Sequence, residues 1–366
     1  MIAVFLLIIQ FILFLGHYLV YKTVVRFFGV TDAGHLWWIK VVFVVLSISF
    51  LLASIVTYKF YGPIGRIFYT ASAVWLGTLY WLFFASVLSW VVFGLAKLVT
   101  PGIDVSSVAM GLVILALLTS AYGVWNSYQT KIRQVTVKLN NLPEQWKGRK
   151  AVLVADTHLG NVRNVGFSEK VAKLVEAQKP DIVLIPGDFY DGPPTDFAAT
   201  AMPFGKIKST FGTYFAPGNH EEFGNSNPLL SALSNAGVHV LNDQMEVVDG
   251  LQIIGVGYGS TARAETQHQI LENLNIDINV ASILIKHAPT HIDVAEREGI
   301  TFQVSGHTHL GQVYPMKYIT QAVYGQFYYG LKKLNTTQVL TTSGVGTWGP
   351  PQRVGTSSEI VVITFE

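Results

Sequence analysis

The chain has 366 residues, of which 50% are hydrophobic and only 13% are charged, with 25 basic against 23 acidic side chains. A net charge of +2 gives no sign of a nucleic-acid-binding surface, and the lack of cysteine excludes disulfides and thiolate metal sites. Because the charged share is about half of the usual ~25%, part of the chain is expected to face lipid.

The first third of the chain predicts a membrane region, because only eight charged residues precede Gln129. Four apolar runs are each long enough to cross a hydrocarbon core of about 30 Å. The runs are Ile2–Tyr21, Leu36–Tyr58, Ala71–Leu95 and Val108–Trp125. Buried helices of a soluble core are the alternative, which the confinement of charge to the joints disfavours. The first run lacks the basic start and cleavage site of a signal peptide, so residues 1–128 are expected to form a four-helix transmembrane anchor.

Lysine and arginine suggest which face of the membrane carries the rest of the chain. Four spans put both termini on one side, and that side is slightly richer in basic residues near the spans. These residues are Lys59, Arg66, Lys131, Arg133 and Lys138. The positive-inside bias favours a multi-pass membrane protein with its C-terminal domain on the cytoplasmic face.

The C-terminal part has the alternating pattern of an α/β domain. Residues 129–149 are expected to be a linker leading into a second domain, residues 150–366. Helix candidates begin at Ser168, Asn227 and Pro289, and strand candidates include Thr213–Ala216, Leu251–Val256 and Ser282–Ile285. A later run of strands with fewer helices indicates a second sheet packed on the first.

Five short polar blocks carry the chemistry of this domain. Three of them follow apolar, β-branched runs, so their side chains are expected where a buried strand ends and a loop begins. The blocks are Asp156-Thr157-His158, Gly187-Asp188, Gly218-Asn219-His220-Glu221, Lys286-His287-Ala288-Pro289 and Gly306-His307-Thr308-His309. Each block alone is weak evidence for a metal site. Five blocks in this order predict one binuclear metal site rather than unrelated loop residues.

Two divalent cations held about 3.5–4 Å apart need a shared carboxylate, and Asp188 is the candidate bridge. The other ligands divide into two sets: Asp156 and His158 with a further imidazole, and Asn219 and His287 with one of His307 and His309. One pair of histidines can feed both metals, because alternate residues of an extended segment point to opposite faces. Nitrogen and oxygen ligands without sulfur favour manganese, with iron or zinc as alternatives.

The residue after Asn219 is a candidate for proton transfer. Hydrolysis of a phosphoester leaves an alkoxide that needs a proton, and His220 is the predicted general acid. Glu221 is predicted either to orient the His220 ring or to be a solvated structural carboxylate.

These motifs, in this order from about Lys150 to Glu366, resemble those of the calcineurin-like metallophosphoesterase superfamily. The resemblance implies a four-layer α/β/β/α sandwich with a dinuclear centre and a metal-dependent phosphoric ester hydrolase. It also implies the site: Asp156, His158 and His309 on the first metal, Asn219, His287 and His307 on the second, Asp188 as the bridge and His220 as the catalytic histidine.

More narrowly, the segments from Gly306 to Gln312 and from Ser343 to Arg353 look like the bacterial membrane-associated branch. That branch is similar to enzymes acting on lipid head groups, including a chlamydial-type UDP-diacylglucosamine pyrophosphatase. Two departures bear on substrate shape: Leu310 stands where glycine is usual, and Gly255-Val256-Gly257-Tyr258-Gly259 replaces a common Gly-x-Asp-Asp segment.

The resemblance therefore implies a membrane phosphodiesterase or pyrophosphatase acting on a phosphorylated lipid or lipid-linked intermediate, with no nucleic-acid partner. An anchored nucleotide phosphodiesterase or protein phosphatase is the alternative. A catalytically inactive interaction scaffold is a third interpretation, which the complete ligand set disfavours.

The aromatic segment from Tyr318 to Lys333 has two interpretations. It is either a strand pair that buries its aromatics in the second sheet or a lip that dips into the bilayer beside the metals. In the second case Tyr328 and Lys332 would contact the substrate or its head group. Arg353 would reach the same mouth and bind a substrate phosphate with its forked guanidinium.

Overall fold

The computed structural model describes residues 2–100, 102–192, 195–222 and 224–366. The chain divides into two compact units. A helical unit ends at Trp125 and also includes Gly349–Gln352, and an α/β unit comprises Asn126–Trp348 and Arg353–Glu366.

The helical unit confirms the four predicted spans. Within the described residues, four helices are long and apolar enough to cross a membrane. They are α1 (Ile2–Phe27), α2 (Ala33–Lys59), α3 (Pro63–Val99) and α4 (Ser106–Ser127). Proline at the first turn of α3 fits its start, since that position needs no backbone donor. At 37 residues α3 would be about 55 Å long, well beyond a hydrocarbon core.

Several polar side chains of the helical unit make hydrogen bonds within that unit. Trp75 donates its indole N–H to His17 Nε2 at 2.9 Å, and His17 Nδ1 lies 2.7 Å from the Leu13 carbonyl. Gln352 joins this unit, accepting from the Trp81 indole at 3.1 Å and donating to Ser120 Oγ at 2.8 Å. These contacts account for the polar groups by packing.

The α/β unit alternates strands and helices along most of its length. Its strands are β1 (Thr130–Val137), β2 (Lys150–Leu153), β3 (Ile182–Pro186), β4 (Thr213–Ala216), β5 (His239–Val240), β6 (Gln244–Val248), β7 (Leu251–Gly255), β8 (Ser282–Ile285), β9 (Phe302–Ser305), β10 (Gly330–Leu334), β11 (Thr337–Thr341) and β12 (Ser358–Phe365). Its helices are α5 (Val165–Glu176), α6 (Phe197–Gly205), α7 (Asn227–Asn235), α8 (Ala264–Asn273), α9 (Ile292–Arg297) and α10 (Lys317–Tyr324).

The described strands form two six-stranded sheets. The first has the order β1-β12-β2-β3-β4-β5, in which β2, β3, β4 and β5 run parallel to one another. The second has the order β10-β11-β9-β8-β7-β6, in which β7, β8, β9 and β11 are parallel. Parallel neighbours end at the same edge of a sheet, so loops after β2, β3 and β4 meet, as do loops after β8 and β9.

Alternate side chains of the central strands pack into different layers. Leu153 and Leu184 of the first sheet lie in one cluster with Ile253 and Ile283 of the second, so this cluster fills the space between the sheets. The opposite face of the first sheet packs on α5, α6 and α7, and that of the second sheet packs on α8 and α9. The layers are therefore helices, sheet, sheet and helices, which confirms the predicted α/β/β/α sandwich.

Two segments differ from the expected domain boundaries. Residues 129–149, expected to be a linker, contain β1, which pairs with β12 over eight residues. The sequence hides this role because β1 finds its partner more than two hundred residues later. Gly349–Gln352 lies in the helical unit instead of the C-terminal domain.

Candidate metal centre

The five polar blocks lie at the carboxyl ends of five strands. Asp156 and His158 follow β2, Asp188 follows β3, and Asn219 follows β4 of the first sheet. His287 follows β8, and His307 and His309 follow β9 of the second sheet. The two sheets thus present seven potential ligands at one edge of the α/β unit.

The first ligand group consists of Asp156, His158 and His309, all of them buried. His158 Nε2 lies 3.1 Å from His309 Nε2, and His309 Nε2 lies 3.8 Å from Asp156 Oδ1. One coordinating atom of each residue lies within 4.8 Å of the others. These three side chains could hold one cation.

The second ligand group consists of Asn219, His287 and His307. His287 Nε2 lies 3.1 Å from Asn219 Oδ1 and 3.1 Å from His307 Nδ1. Asn219 and His307 are half-buried, whereas His287 is fully buried. This group could hold a second cation and is the more open of the two.

Asp188 lies between the two groups. Its Oδ2 atom is 3.2 Å from His287 Nε2 and 3.7 Å from His158 Nε2. Its Oδ1 atom accepts the backbone N–H of His220 at 2.9 Å, which fixes the carboxylate. Burial alone would raise the pKa of Asp188, but the imidazoles of His287 and His158 lower it, so the carboxylate is ionised.

The chemistry of this donor set fits divalent cations. Burial and the neighbouring His287 lower the pKa of His307 to about 3, and burial with His158 and Arg353 holds the pKa of His309 well below its usual range. Neutral imidazoles keep a lone pair for a metal. His309 faces His158 and His307 faces His287, each pair with nitrogens only 3.1 Å apart, an arrangement that a cation between the nitrogens would stabilise. Against the effect of burial, the Asp188 carboxylate raises the pKa of His287 to about 9, so a cation there would displace a proton from this ring.

Backbone strain concentrates on the same residues. Five of the seven potential ligands have positive φ angles between 47° and 67°, a region that non-glycine residues seldom adopt: Asp156, His158, Asp188, His307 and His309. Such strain costs free energy and is typical of sites where function dictates the backbone. Gly187 has φ of +76°, and a Cβ there would lie 2.8 Å from His287 Nδ1, so no larger residue fits.

Asp191 belongs to the site and was not predicted. Its Oδ1 atom lies 3.2 Å from His158 Nδ1, and its backbone carbonyl lies 3.0 Å from His220 Nδ1. A carboxylate behind a histidine fixes the ring so that the opposite nitrogen faces the metal. His220 Nε2 correspondingly points toward Asp188 Oδ2, 4.0 Å away. The signal in the sequence was a second acid three residues after Asp188.

Glu221 is a structural carboxylate, but it is buried and not solvated as predicted. Its buried carboxylate accepts the backbone N–H groups of Asp188 at 2.9 Å, Gly218 at 2.8 Å and Tyr190 at 2.9 Å. It therefore joins the loop after β3 to the loop after β4. Burial and the nearby Asp188 raise the pKa of Glu221 to about 7.

Arg353 has a different place from the predicted phosphate contact. The residue is fully buried, and its guanidinium donates to the backbone carbonyls of Ser343 at 2.6 Å, Gly346 at 2.8 Å and His309 at 3.2 Å. With its donors committed to carbonyls it holds the loop of a ligand, and this corrects the predicted role.

The contacts described above for the metal centre include neither the Tyr328 side chain nor that of Lys332. Tyr328 is half-buried, and its backbone carbonyl accepts from Thr308 Oγ1 at 2.9 Å, while Lys332 is exposed on β10. The segment from Tyr318 to Lys333 is not the predicted strand pair, because it lies first in α10, continues as a short 3-10 helix and ends in β10.

Two tyrosines border the second ligand group. The Tyr258 ring centroid lies 5.8 Å from that of His287 and 5.5 Å from that of His307, and Tyr324 lies 5.9 Å from His307. Glu222 fixes the Tyr258 loop by accepting the Gly259 N–H at 2.8 Å. In the sequence, the segment around Tyr258 was recognised only as a departure from a family pattern. Nothing in the sequence indicated that the Tyr258 ring contacts His287 and His307.

A comparison with protein families assigns this unit. The family model described as calcineurin-like phosphoesterase matches residues 149–311, which include all five polar blocks. A metallophosphoesterase of Campylobacter jejuni is 30% identical over 262 residues, which cover 70% of this chain and 69% of that relative. The chain belongs to the calcineurin-like metallophosphoesterase family. This confirms the resemblance seen in the motifs and makes the chain a metal-dependent phosphoester hydrolase.

Other relatives of this metallophosphoesterase include membrane proteins. A metallophosphoesterase of Helicobacter pylori is 30% identical, with 64% of this chain and 63% of the relative covered. A zebrafish protein named transmembrane protein with metallophosphoesterase domain is 28% identical, with 70% and 62% covered. The chain thus spans less than two thirds of the length of these last two relatives.

Proposed function

We propose that this metallophosphoesterase hydrolyses a phosphodiester or pyrophosphate bond in a lipid head group or a lipid-linked intermediate. The observation that carries the proposal is the combination, in one chain, of four helices able to span a membrane and seven converging side chains that could hold metals. An enzyme tethered to a bilayer meets lipid substrates at a high effective concentration. A freely soluble nucleotide would not gain from such an anchor.

The two ligand groups divide the work of holding the metals. In this proposal Asp156, His158 and His309 would hold the first cation, and Asn219, His287 and His307 would hold the second. Asp188 would be shared by both, a role supported by its position within 4 Å of a histidine from each group. The cations are manganese, with iron or zinc as alternatives, because the donors are nitrogen and oxygen. When bound, two cations activate water and neutralise phosphate charge.

His220 is the proposed proton donor to the leaving group. Its Nδ1 atom lies 3.0 Å from the Asp191 carbonyl, so donation there keeps Nε2 turned toward the cluster. Because Nδ1 keeps its proton on that carbonyl, this step uses the doubly protonated ring: Nε2 passes its proton to the oxygen that leaves phosphorus, and the neutral imidazole left behind takes a proton from solvent. The ring is only slightly exposed, and burial with the nearby His158 lowers the pKa of His220, so the proton-donating form is the less populated one near neutral pH.

The membrane location is a further part of the proposal. The chain is a membrane protein, and we place it in a bacterial inner membrane with the α/β unit on the cytoplasmic face. The chain has no cysteine, so single cysteines introduced at exposed Lys332 or Lys173 report the side directly. Reaction with a membrane-impermeant maleimide in intact spheroplasts would contradict the cytoplasmic placement, and reaction only after lysis supports it.

A substrate screen tests the proposed function. The full chain, reconstituted in vesicles with Mn²⁺, is assayed side by side on extracted phospholipids, UDP-diacylglucosamine, cyclic nucleotides and phosphopeptides. We expect hydrolysis of a lipid substrate that disappears in the Asp188→Asn variant. Activity confined to nucleotides or phosphopeptides would replace the lipid proposal by the anchored nucleotide phosphodiesterase or protein phosphatase. Metal binding without any activity would favour the interaction scaffold.

A further inference from the structure

Helix α10 carries an exposed apolar face. Tyr318, Ile319 and Val323 are 53%, 57% and 66% exposed, and Ala322 is exposed beside them. Residues three and four apart lie on one side of a helix, so these four side chains form a continuous strip. All eight residues of α10 are exposed or half-buried, so the helix lies on the surface of the α/β unit.

The other side of the same helix faces the metal centre. Thr320 and Tyr324 are four residues apart and half-buried, and the Tyr324 ring lies 5.9 Å from the ring of His307. At 100° per residue, Tyr324 points nearly opposite to the centre of the strip formed by Tyr318, Ile319, Ala322 and Val323. One short helix therefore separates a metal ligand from the medium that its outer face meets.

Two further aromatic residues extend the exposed strip. Tyr314 is 48% exposed and packs edge-on against Tyr318 at 5.9 Å, while Trp348 is 61% exposed. The Trp348 backbone is fixed by two hydrogen bonds with the Gln312 side chain, at 2.9 and 3.0 Å. Lys317 lies 5.0 Å from the Tyr318 ring centroid. We name Tyr314, Tyr318, Ile319, Val323 and Trp348 the interfacial patch.

The chemistry of the patch fits a lipid surface. Tyrosine and tryptophan beside aliphatic side chains, with a lysine at the margin, are typical of helices that lie in the head-group region. The four spans keep a bilayer close to every copy of the chain. In sequence, Trp348 immediately precedes Gly349–Gln352, the segment that belongs to the helical unit.

We propose that the interfacial patch docks on the bilayer surface, with α10 lying in the head-group region and Tyr324 forming the wall between lipid and metals. A phosphate at head-group depth would then reach the second ligand group while the acyl chains stay in the bilayer. The substrate part of this inference rests on the proposed lipid function, whereas the docking does not.

Spin labels on single cysteines test the docking. The full chain contains no native cysteine, so Val323→Cys gives one labelled site. Val247→Cys on the edge strand β6 is the matched control, because it is the same residue type with 64% exposure. In vesicles of phosphatidylethanolamine and phosphatidylglycerol, we expect the Val323 label to be accessible to oxygen and shielded from a water-soluble nickel chelate. The Val247 label should show the reverse.

Two outcomes would overturn the docking. A Val323 label as accessible to the nickel chelate as the Val247 label means that the patch faces water. A label shielded from both reagents means that protein, such as a second copy of the chain, covers the patch. Ile319→Cys lies on the same strip and repeats the measurement should Val323→Cys fail to fold.

Paired aspartate variants separate the docking from the proposed function. We expect Val323→Asp to slow hydrolysis of a bilayer-embedded lipid by roughly tenfold, while a small soluble diester is hydrolysed at the original rate. Val247→Asp should leave both rates unchanged. Equal slowing on both substrates would overturn the docking role of Val323. If the Val323 label is shielded from the nickel chelate but the chain hydrolyses only soluble nucleotides, the proposed lipid substrate is wrong and the docking still holds.

Discussion

The two ligand groups of the metal centre are built differently. The first, with Asp156, His158 and His309, is buried and held from behind by Asp191 and by Arg353. The second includes half-buried Asn219 and His307 and is bordered by the rings of Tyr258 and Tyr324. The contrast indicates that the first group is enclosed by supporting side chains, while the second is more open to the medium.

The largest effect is expected at Asp188, the residue shared by both groups. Asp188→Asn keeps the shape of the side chain but removes the charge that two cations would share, so we expect both metals to be lost. Metal content measured on the purified protein checks this. Asp181→Asn is the matched control. Asp181 forms a 3.1 Å ion pair with Arg149 and, in the described part of the chain, contacts none of the potential ligands, so its change should leave both ions bound. Two ions retained in Asp188→Asn would contradict the bridge.

A smaller effect, confined to chemistry, is expected at His220. His220→Ala should keep both metals and lose about 10²–10⁴-fold in turnover, which is the usual contribution of general acid–base catalysis. The loss should shrink for p-nitrophenyl substrates, whose leaving group scarcely needs a proton. Turnover measured for a series of leaving groups tests this, and equal losses across the series would rule out the acid role.

Asp191 should distinguish the two groups from each other. Asp191→Asn removes the charge that orients His158, so we expect metal affinity at the first group to fall about 10–100-fold while the second group is unaffected. Competitive titration with a chelator resolves the two affinities. The control is Asp196→Asn, because Asp196 caps α6 through the Ala199 N–H and asparagine caps as well. Equal weakening of both metals would refute the assignment of Asp191 to one group.

The strand ends of the site could be predicted because both signals are local. An apolar run marks a buried strand, and the polar block that follows must leave the core; Thr213–Ala216 and Ser282–Ile285 are strands with the expected bounds. The family resemblance added the order of the ligands, and the converging geometry is consistent with that order. Ligand roles remain predictions until metals are measured.

The supporting residues could not be predicted because their partners are distant in the chain. Arg353 binds the carbonyl of a residue 44 positions earlier, and nothing near Arg353 in the sequence tells a buried guanidinium from one that binds phosphate. The same reason hides β1 in a supposed linker. Helix α10 was not predicted because its apolar side chains are exposed to the medium. Its sequence therefore resembles that of other aromatic segments.

The smallest effect sharpens the description of the open group. Tyr258 contacts the rings of His287 and His307, and burial with the nearby Asp188 and Glu222 raises its pKa, so the phenol stays neutral. An aromatic contact of this kind contributes roughly 0.5–1.5 kcal/mol.

Tyr258→Ala should therefore weaken the metal at the second group by about two- to tenfold and leave the first group unchanged. Tyr258→Phe keeps the ring and serves as the matched control, so it should bind both metals normally. The same chelator titration reads both variants. If Tyr258→Phe bound metal as weakly as Tyr258→Ala, the hydroxyl and not the ring would support the second group. The aromatic contact between Tyr258 and the two histidines would then contribute little to metal binding.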